Sequence, residues 1–592
     1  MTSIHSVAVR LSAVTLALLL LAPSLRAADH PLIQAARDEI ARAMAGLHLP
    51  GQPAPYFIAA TIDDGAGRQI VSTMGATVTD SRNRSRFVRV DVRVGDYARD
   101  SSRFFSFDRD PGVMSMYGMG TMQAPLDENV DVLRRQLWLV IDGAYRRALT
   151  TFAKKQAAQQ NQATPDPVPD WSKESPRTTL LPVVAPAIGL DAWVAHARAL
   201  SFALVRPGLT RADVTVGGFQ GTRYLVTSEG TTTIAPLQNV TVRLMAETQA
   251  ADGMPLREQV TTHARTVAGL PAVADLASRA KALADGLLAL KQAPVGEAYT
   301  GPVLVQGQAS AALLAQTLVP LFAPQRLPEM ENPQMFGPGG RQPSEPFLTR
   351  VGGRVLPESF GASDTPSLQT FEGREVAGAY AVDDEGVPAQ DVTLCEKGIL
   401  KTLLTSRTPQ KGFLTSNGHG RGGRAQPGVF QLQSSSAVPA SALKAKYLEM
   451  LKTAGRDFGY IVRQVAAGAG PSGDPDEMMA MAMAMRGGPS GPEIVRAFKV
   501  TADGTETLVR GLQFGTVPHA AFKELVEASQ ERVLYSYRSS QSGALQMMAM
   551  MQGGSSEAVI SLIAPDLLFG ELEIEKPDRP FQRPPIVPPP LP

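Results

Sequence analysis

A single cysteine, Cys395, occurs in 592 residues. An intrachain disulfide is therefore impossible, and zinc sites built on two or more cysteines are excluded. Histidine is also scarce: His5, His30, His48, His196, His263, His419 and His519 include no closely spaced pair. There is no surplus of either charge, since 57 Lys and Arg face 56 Asp and Glu, for a formal net charge of +1. A basic excess or stripe is the usual footprint of nucleic-acid binding, so no nucleic-acid partner is expected. Nor would charge alone bring the chain to an acidic membrane. Beyond the N-terminal segment no apolar run approaches the ~20 residues needed to span a bilayer.

Hydrophobic residues make up 44% of the chain and charged residues 19%, a globular composition with ample apolar surface to bury. The length exceeds one ordinary core, and two or three domains of roughly 100–200 residues are expected. Arg10 precedes an apolar run from Leu11 to Ala22, which Pro23 and Ser24 break before the small residues Ala27 and Ala28. That order reads as a secretory signal peptide over residues 1–28, with export to the periplasm or secretion, rather than as a membrane anchor.

Residues 31–45 carry apolar positions at helical spacing. Residues 56–62, 69–78 and 86–94 read as strands, with DDGAGR at 63–68 as a turn. A long helical pattern covers 126–158, and the polar, proline-rich 160–178 reads as a linker. Three strands are expected over 212–248, a helix over 271–291, and then a strand, a Gly turn and a helix from about 308 to 322. From 348 onward the pattern is of short strands with Gly and Asp turns, with helices near 440–455 and 519–529. The predicted class is α+β: a helix-on-sheet N-terminal domain (29–300) followed by a mostly β barrel or sandwich (301–575). Gly- and Met-rich inserts at 468–491 and 542–556 interrupt the second domain, and a proline-rich tail runs from 576 to 592.

Several groups are candidates for chemistry. Asp383, Asp384 and Glu385 precede Gly386; adjacent carboxylates suit a cation or acid–base work, and D-E-G between strands equally signals a hairpin turn. The stretch 415–424 is glycine-rich, and Asn417, Gly418, His419 and Arg421 are candidates to bind a peptide or its carboxylate. It lacks the GK[ST] ending of a phosphate-binding loop. Methionine thioethers select Cu(I), but the inserts read better as lightly packed Gly-flanked segments.

The stretch FEGREVAGAYAVDDEGVPAQDVTLCEKGILKTLLTSRTPQKGFLTSNGHGRG (371–422) resembles the C-terminal domain of the TldD/PmbA metallopeptidase family. YTGPVLVQGQASAALLAQ (299–316) is similar to the strand-to-helix element that carries zinc in its catalytic members. The resemblance implies peptide cleavage in catalytic members, where two His of an H-E-x-x-x-H motif and a distant Cys hold zinc and the Glu takes the proton of the attacking water. It also implies subunits working in pairs. Here the His positions hold Gln306 and Ala311 and the Glu position holds Gly307. Cys395, in TLCEKG, reads as a small core residue. No metal or cofactor is therefore expected. The chain is expected to be a peptide-binding homo- or heterodimeric member beside a TldD-like catalytic subunit. The alternatives are a peptidase using Asp384, Glu385 and His419, or a Met-rich metal-binding or interaction protein.

Overall fold

The computed structural model describes residues 30–105, 120–160, 167–331, 346–467, 491–539 and 558–577. The expected signal peptide, nearly all of both Met-rich inserts and most of the proline-rich tail lie outside them.

Helix α1 (Pro31–Gly46) opens with a proline, which costs nothing where no N–H is needed, and His30 Nδ1 accepts from the Leu32 N–H at 3.3 Å. Strands β1 (Pro55–Thr73) and β2 (Ala76–Val94) form one long hairpin turned by Met74 and Gly75, both at positive φ (46° and 88°), as the tightest hairpin turns require. The expected turn at 63–68 is instead the middle of β1. Asp63 and Asp64 are held by arginines of neighbouring strands, and Gly65 lies where a Cβ would run into the Phe219 ring. Here glycine marks close strand approach, not a turn.

Strand β3 (Thr121–Gln123) borders β2, and Asn129 caps α2 (Val130–Gln159). Strand β4 (Thr178–Leu180) and α3 (Trp193–Ala203) lead to β5 (Arg211–Thr227), β6 (Thr232–Gln249) and β7 (Pro255–Ala264). The three strands expected over 212–248 are thus two long ones, for the same reason: Gly221 faces Gly65 across the ladder. The sheet runs β3-β2-β1-β5-β6-β4, with β7 also on β6. One face buries Ile58, Ile62, Val88 and Val90 under α1 and α2. It also buries Ile70, Val214, Val216 and Val242 under α3 and α4 (Val273–Gln292). Residues 168–172 of the expected linker are packed: Asp170 and Trp171 are buried, and Lys155 Nζ meets Asp170 at 2.6 Å.

The second sheet resolves the choice between barrel and sandwich. Strands β8 (Tyr299–Val305), β9 (Phe360–Asp364), β10 (Val392–Glu396), β11 (Ile399–Leu400) and β12 (Val429–Ser434) are followed by β13 (Phe458–Val465), β14 (Glu493–Thr501) and β15 (Glu506–Val509). Strands β16 (Leu512–Phe514), β17 (Leu525–Arg538) and β18 (Val559–Glu575) complete it. The order β18-β16-β14-β13-β8 closes on itself because β8 also pairs with β18, Val303 opposite Phe569. A wing, β11-β10-β9-β12, joins this five-stranded barrel through the parallel pair β12–β18.

Helix α5 (Gln308–Thr317) follows β8 directly, and a short 3-10 turn, Val319–Phe322, replaces the rest of the expected helix; Pro320 cannot continue an α-helix. Helix α6 (Ala440–Thr453) packs Leu443, Tyr447 and Leu451 on Leu304, Ile461 and Leu568. The helix expected near 519–529 is a 3-10 turn, His519–Glu524, and the long β17 starts at Leu525.

Candidate functional site

The acidic turn is where the barrel half meets the helix-free face of the first sheet. The Asp383 N–H donates to Val387 O at 2.9 Å, and Gly386 takes φ 84°, so the hairpin reading of D-E-G is the local structure. A Cβ on Gly386 would run into Thr231 and Leu225 of the first sheet. The three carboxylates are all occupied. Asp383 accepts from the N–H groups of Glu385 (3.0 Å), Val387 (2.8 Å) and Gly420 (2.9 Å). Asp384 accepts from Arg223, whose guanidinium also grips Asp63 at 2.6 and 2.9 Å, and from the Gly422 N–H at 2.7 Å. Glu385 accepts from the Arg407 N–H at 2.6 Å. The Arg407 side chain crosses to the first half, with two 2.8 Å contacts to Glu229 and one of 2.6 Å to Ser172 O, and its guanidinium lies against the Trp171 and Phe57 rings.

The acidities diverge within this one turn. Burial works against ionisation of Asp384, but the Arg223 charge and the Gly422 N–H outweigh it and hold the carboxyl below its usual range. Burial pushes Glu385 up to about 7, and burial together with the neighbouring Glu385 charge pushes Asp383 well above the usual carboxylate range.

The glycine-rich stretch folds inward rather than forming an open cradle. Asn417 accepts from the Thr405 N–H (2.8 Å) and donates to Leu403 O (2.9 Å). Gly418, at φ 80°, sits where a Cβ would run into Pro388 O, and its carbonyl accepts from Tyr380 Oη at 2.8 Å. Arg421 donates to Pro427 O (2.9 Å) and Val559 O (3.0 Å) with its guanidinium 4.4 Å from the Tyr380 ring centre. His419 is fully buried; Nδ1 lies 2.9 Å from Asn417 Oδ1, and Nε2 is 3.4 Å from Asp364 Oδ1, too long for a good hydrogen bond. Asn417, Gly418 and Arg421, the expected substrate-binding residues, all make hydrogen bonds within the protein.

The third group lies at the end of β8. Gln306 and Gly307 form the junction to α5, with Gly307 at φ 57°. Asp566, from β18, caps the helix: Oδ1 accepts from the Gly307 N–H at 2.6 Å and Oδ2 from Gln306 Nε2 at 3.3 Å. Arg463 Nε reaches Gln306 Oε1 at 3.3 Å. Ala311 is fully buried among Leu313, Val305 and Phe322. Cys395 pairs with Ala362 and Leu400 in the wing, and burial pushes its thiol up to about 11.

These residues do not fit a zinc ion. An amide, a glycine and a buried methyl stand at the junction, and a thiol this weakly acidic, buried in an apolar core, is a poor thiolate donor. Among the described residues no group of three His, Cys, Asp or Glu is placed to hold a metal. Asp384, Glu385 and His419 do lie in contacting loops, yet each is tied into a different set of hydrogen bonds, and Gln306 belongs to the separate Asp566–Arg463 set. Asp566, Arg223, Arg407, Glu229 and Asp364 were not legible as site residues, since each comes from a segment remote in sequence with no motif around it.

Residues 299–477 match a family model described as the PmbA/TldA metallopeptidase C-terminal domain. No curated protein matches the chain. Among solved structures, a candidate modulator of a DNA gyrase from Thermotoga maritima MSB8 is similar with a TM-score of 0.55 at 15% identity, over 92% of this chain and 99% of that one. A candidate modulator of DNA gyrase from Bacteroides thetaiotaomicron VPI-5482 gives 0.54 at 11% identity, over 92% and 98%. TldE from Thermococcus kodakarensis gives 0.50 at 14%, over 88% and 96%. At such identities these are likenesses of fold, and none of the described helices is long and apolar enough to cross a membrane. Residues 299–477 are thus a C-terminal domain of the TldD/PmbA family, set in a chain that has the fold of that family's solved relatives.

Proposed function

We propose that this protein is an exported peptide-binding member of the TldD/PmbA family that does not hold the family's zinc and acts beside a catalytic subunit. The observation that carries this reading is the β8–α5 junction. There the helix N-terminus, a natural place for an anion, is filled by the protein's own Asp566 carboxylate. Gln306, Gly307 and Ala311 themselves supply neither a metal ligand nor a base, and the carboxylate there, Asp566, is taken up by internal hydrogen bonds. Export rests on the Leu11–Ala22 run and its flanks. Pairing rests on the resemblance to a family whose subunits act in twos.

The test is the zinc content of the purified chain by elemental analysis, with cleavage of an unfolded-peptide pool followed with and without chelator. Less than a tenth of an equivalent of zinc and no cleavage is expected, with peptides retained on the protein. Stoichiometric zinc with chelator-sensitive cleavage would overturn the reading.

A further inference from the structure

Arg424 differs from the other guanidiniums around the acidic turn. It sits in a two-strand hairpin, Gly420–Arg421 against Arg424–Ala425, directly opposite Arg421, with Gly422 and Gly423 both at positive φ in the turn. Arg421 spends its donors on Pro427 O and Val559 O. The Arg424 side chain makes no hydrogen bond or ion pair among the described residues, although it is half-buried. Burial pushes its guanidinium down to about 10, with only Tyr537 acting the other way. Tyr537 and Tyr535 project from the same face of β17, two residues apart, with ring centroids 5.7 Å apart and planes 17° from parallel. Two further polar atoms in this hairpin, His419 Nε2 and Gln426 Oε1, are buried without a hydrogen-bond partner.

A half-buried guanidinium with no acceptor among the described residues is open to a ligand that brings the missing charge. A guanidinium presents parallel N–H donors at the spacing of carboxylate oxygens. Tyrosine adds a hydroxyl donor and a flat apolar face for the carbon skeleton behind the carboxylate.

We propose that Arg424, beside the Tyr535–Tyr537 stack, is a receptor for a carboxylate on a bound peptide. This rests on the peptide-binding reading above and adds the group recognised. The carboxylate comes either from the peptide C-terminus or from an acidic side chain, and both present the same two oxygens to the fork.

The experiment uses the full chain and its Arg424→Gln variant with three randomised hexapeptide libraries. One has free C-termini, one is amidated with internal Asp and Glu, and one is amidated with neither. Retained peptides are quantified by mass spectrometry, and the melting temperature of both proteins is recorded. The wild type is expected to retain a carboxylate-bearing library about tenfold or more over the uncharged one. Arg424→Gln is expected to abolish that preference, keep residual binding, and melt no lower than wild type, because no internal partner is lost. Preference for the first library alone assigns the C-terminal carboxylate, and equal preference for the first two assigns any carboxylate. Equal retention of all three by the wild type would overturn the proposal while leaving peptide binding standing. A variant that melts several degrees lower would overturn it too, since Arg424 would then have a structural role. If no library is retained, both the peptide reading and this inference fall.

Discussion

In the first sheet, buried guanidiniums face carboxylates. Arg68 meets Asp80 at 2.9 Å and Asp191 at 2.7 Å, Arg93 meets Asp91 and Asp100, and Arg223 grips Asp63 with two nitrogens. In the barrel half, buried carboxylates are held mainly by backbone N–H groups. Asp364 accepts from Gly428 and Val429, Asp383 from three amides, Glu385 from one, and Asp566 from Gly307. A guanidinium brings a full counter-charge and stays ionised at any accessible pH. An amide brings only a dipole, which cannot offset the burial of a full charge so completely. The first arrangement holds Asp80, Asp100 and Asp191 below the usual carboxylate range. The second leaves Asp383, Glu385 and Asp566 raised above that range. Asp384 stands at the border, with a guanidinium and a backbone N–H among its partners, and the guanidinium prevails.

Removing a counter-charge is the largest perturbation available to this contrast. Arg223→Ala removes the guanidinium that Asp63 and Asp384 share and should cost about 3–5 kcal/mol in denaturant unfolding; a cost below ~1 kcal/mol would mean that their other partners, such as Arg89 at Asp63, suffice. Next comes Gly65→Ala, which forces a methyl against the Phe219 ring inside the sheet. It should cost about 1–3 kcal/mol, whereas a solvent-exposed turn would absorb the methyl with little change.

The third prediction concerns pH. The folded-state pKa of Glu385 is raised to about 7, above the ~4.3 of an unfolded chain. Between those values the folded state binds more protons than the unfolded one, so this group's contribution is full at low pH and declines as pH rises toward 7. Thermal melts from pH 4.5 to 8 should therefore show a downward slope from this residue. In Glu385→Gln that component disappears and the variant should be the more stable protein at pH 8; an unchanged slope would assign the effect elsewhere. The smallest effect belongs to Cys395→Ala, a core truncation worth about 1 kcal/mol. It should leave the metal content of the purified protein unchanged, and a drop in bound metal would make Cys395 a ligand after all.

Much of the architecture was legible where hydrophobic spacing is local. Leu32, Ile33, Ala36 and Ile40 write α1, and Leu133, Leu137, Ile141 and Ala144 write α2, because one buried face repeats at the helical period. The D-E-G turn and the β8–α5 junction were readable too, since glycine after a polar pair and a strand-to-helix switch are both local signals. Reading failed where glycine served contact rather than conformation. Gly65 and Gly221 face each other inside a four-strand ladder, 156 residues apart, and no neighbour in sequence reports so remote a strand. In the glycine-rich stretch the side chains of Asn417 and Arg421 meet Thr405, Leu403, Pro427 and Val559, all outside 415–424.

The sequence by itself determined the α+β class, the positions of the principal helices, the absence of disulfides and the residues standing at Gln306, Gly307 and Ala311. Those properties depend on composition and on spacings within one element. Tertiary structure alone decided that the β strands close into a barrel and that Arg223 and Arg407 tie that barrel to the first sheet. It also decided that Asp566 occupies the helix end and that Arg424 has no hydrogen-bond or ion-pair partner among the described residues. Electrostatic pairing depends on distance in space, and in this chain it joins residues as remote as Gly307 and Asp566, 259 residues apart.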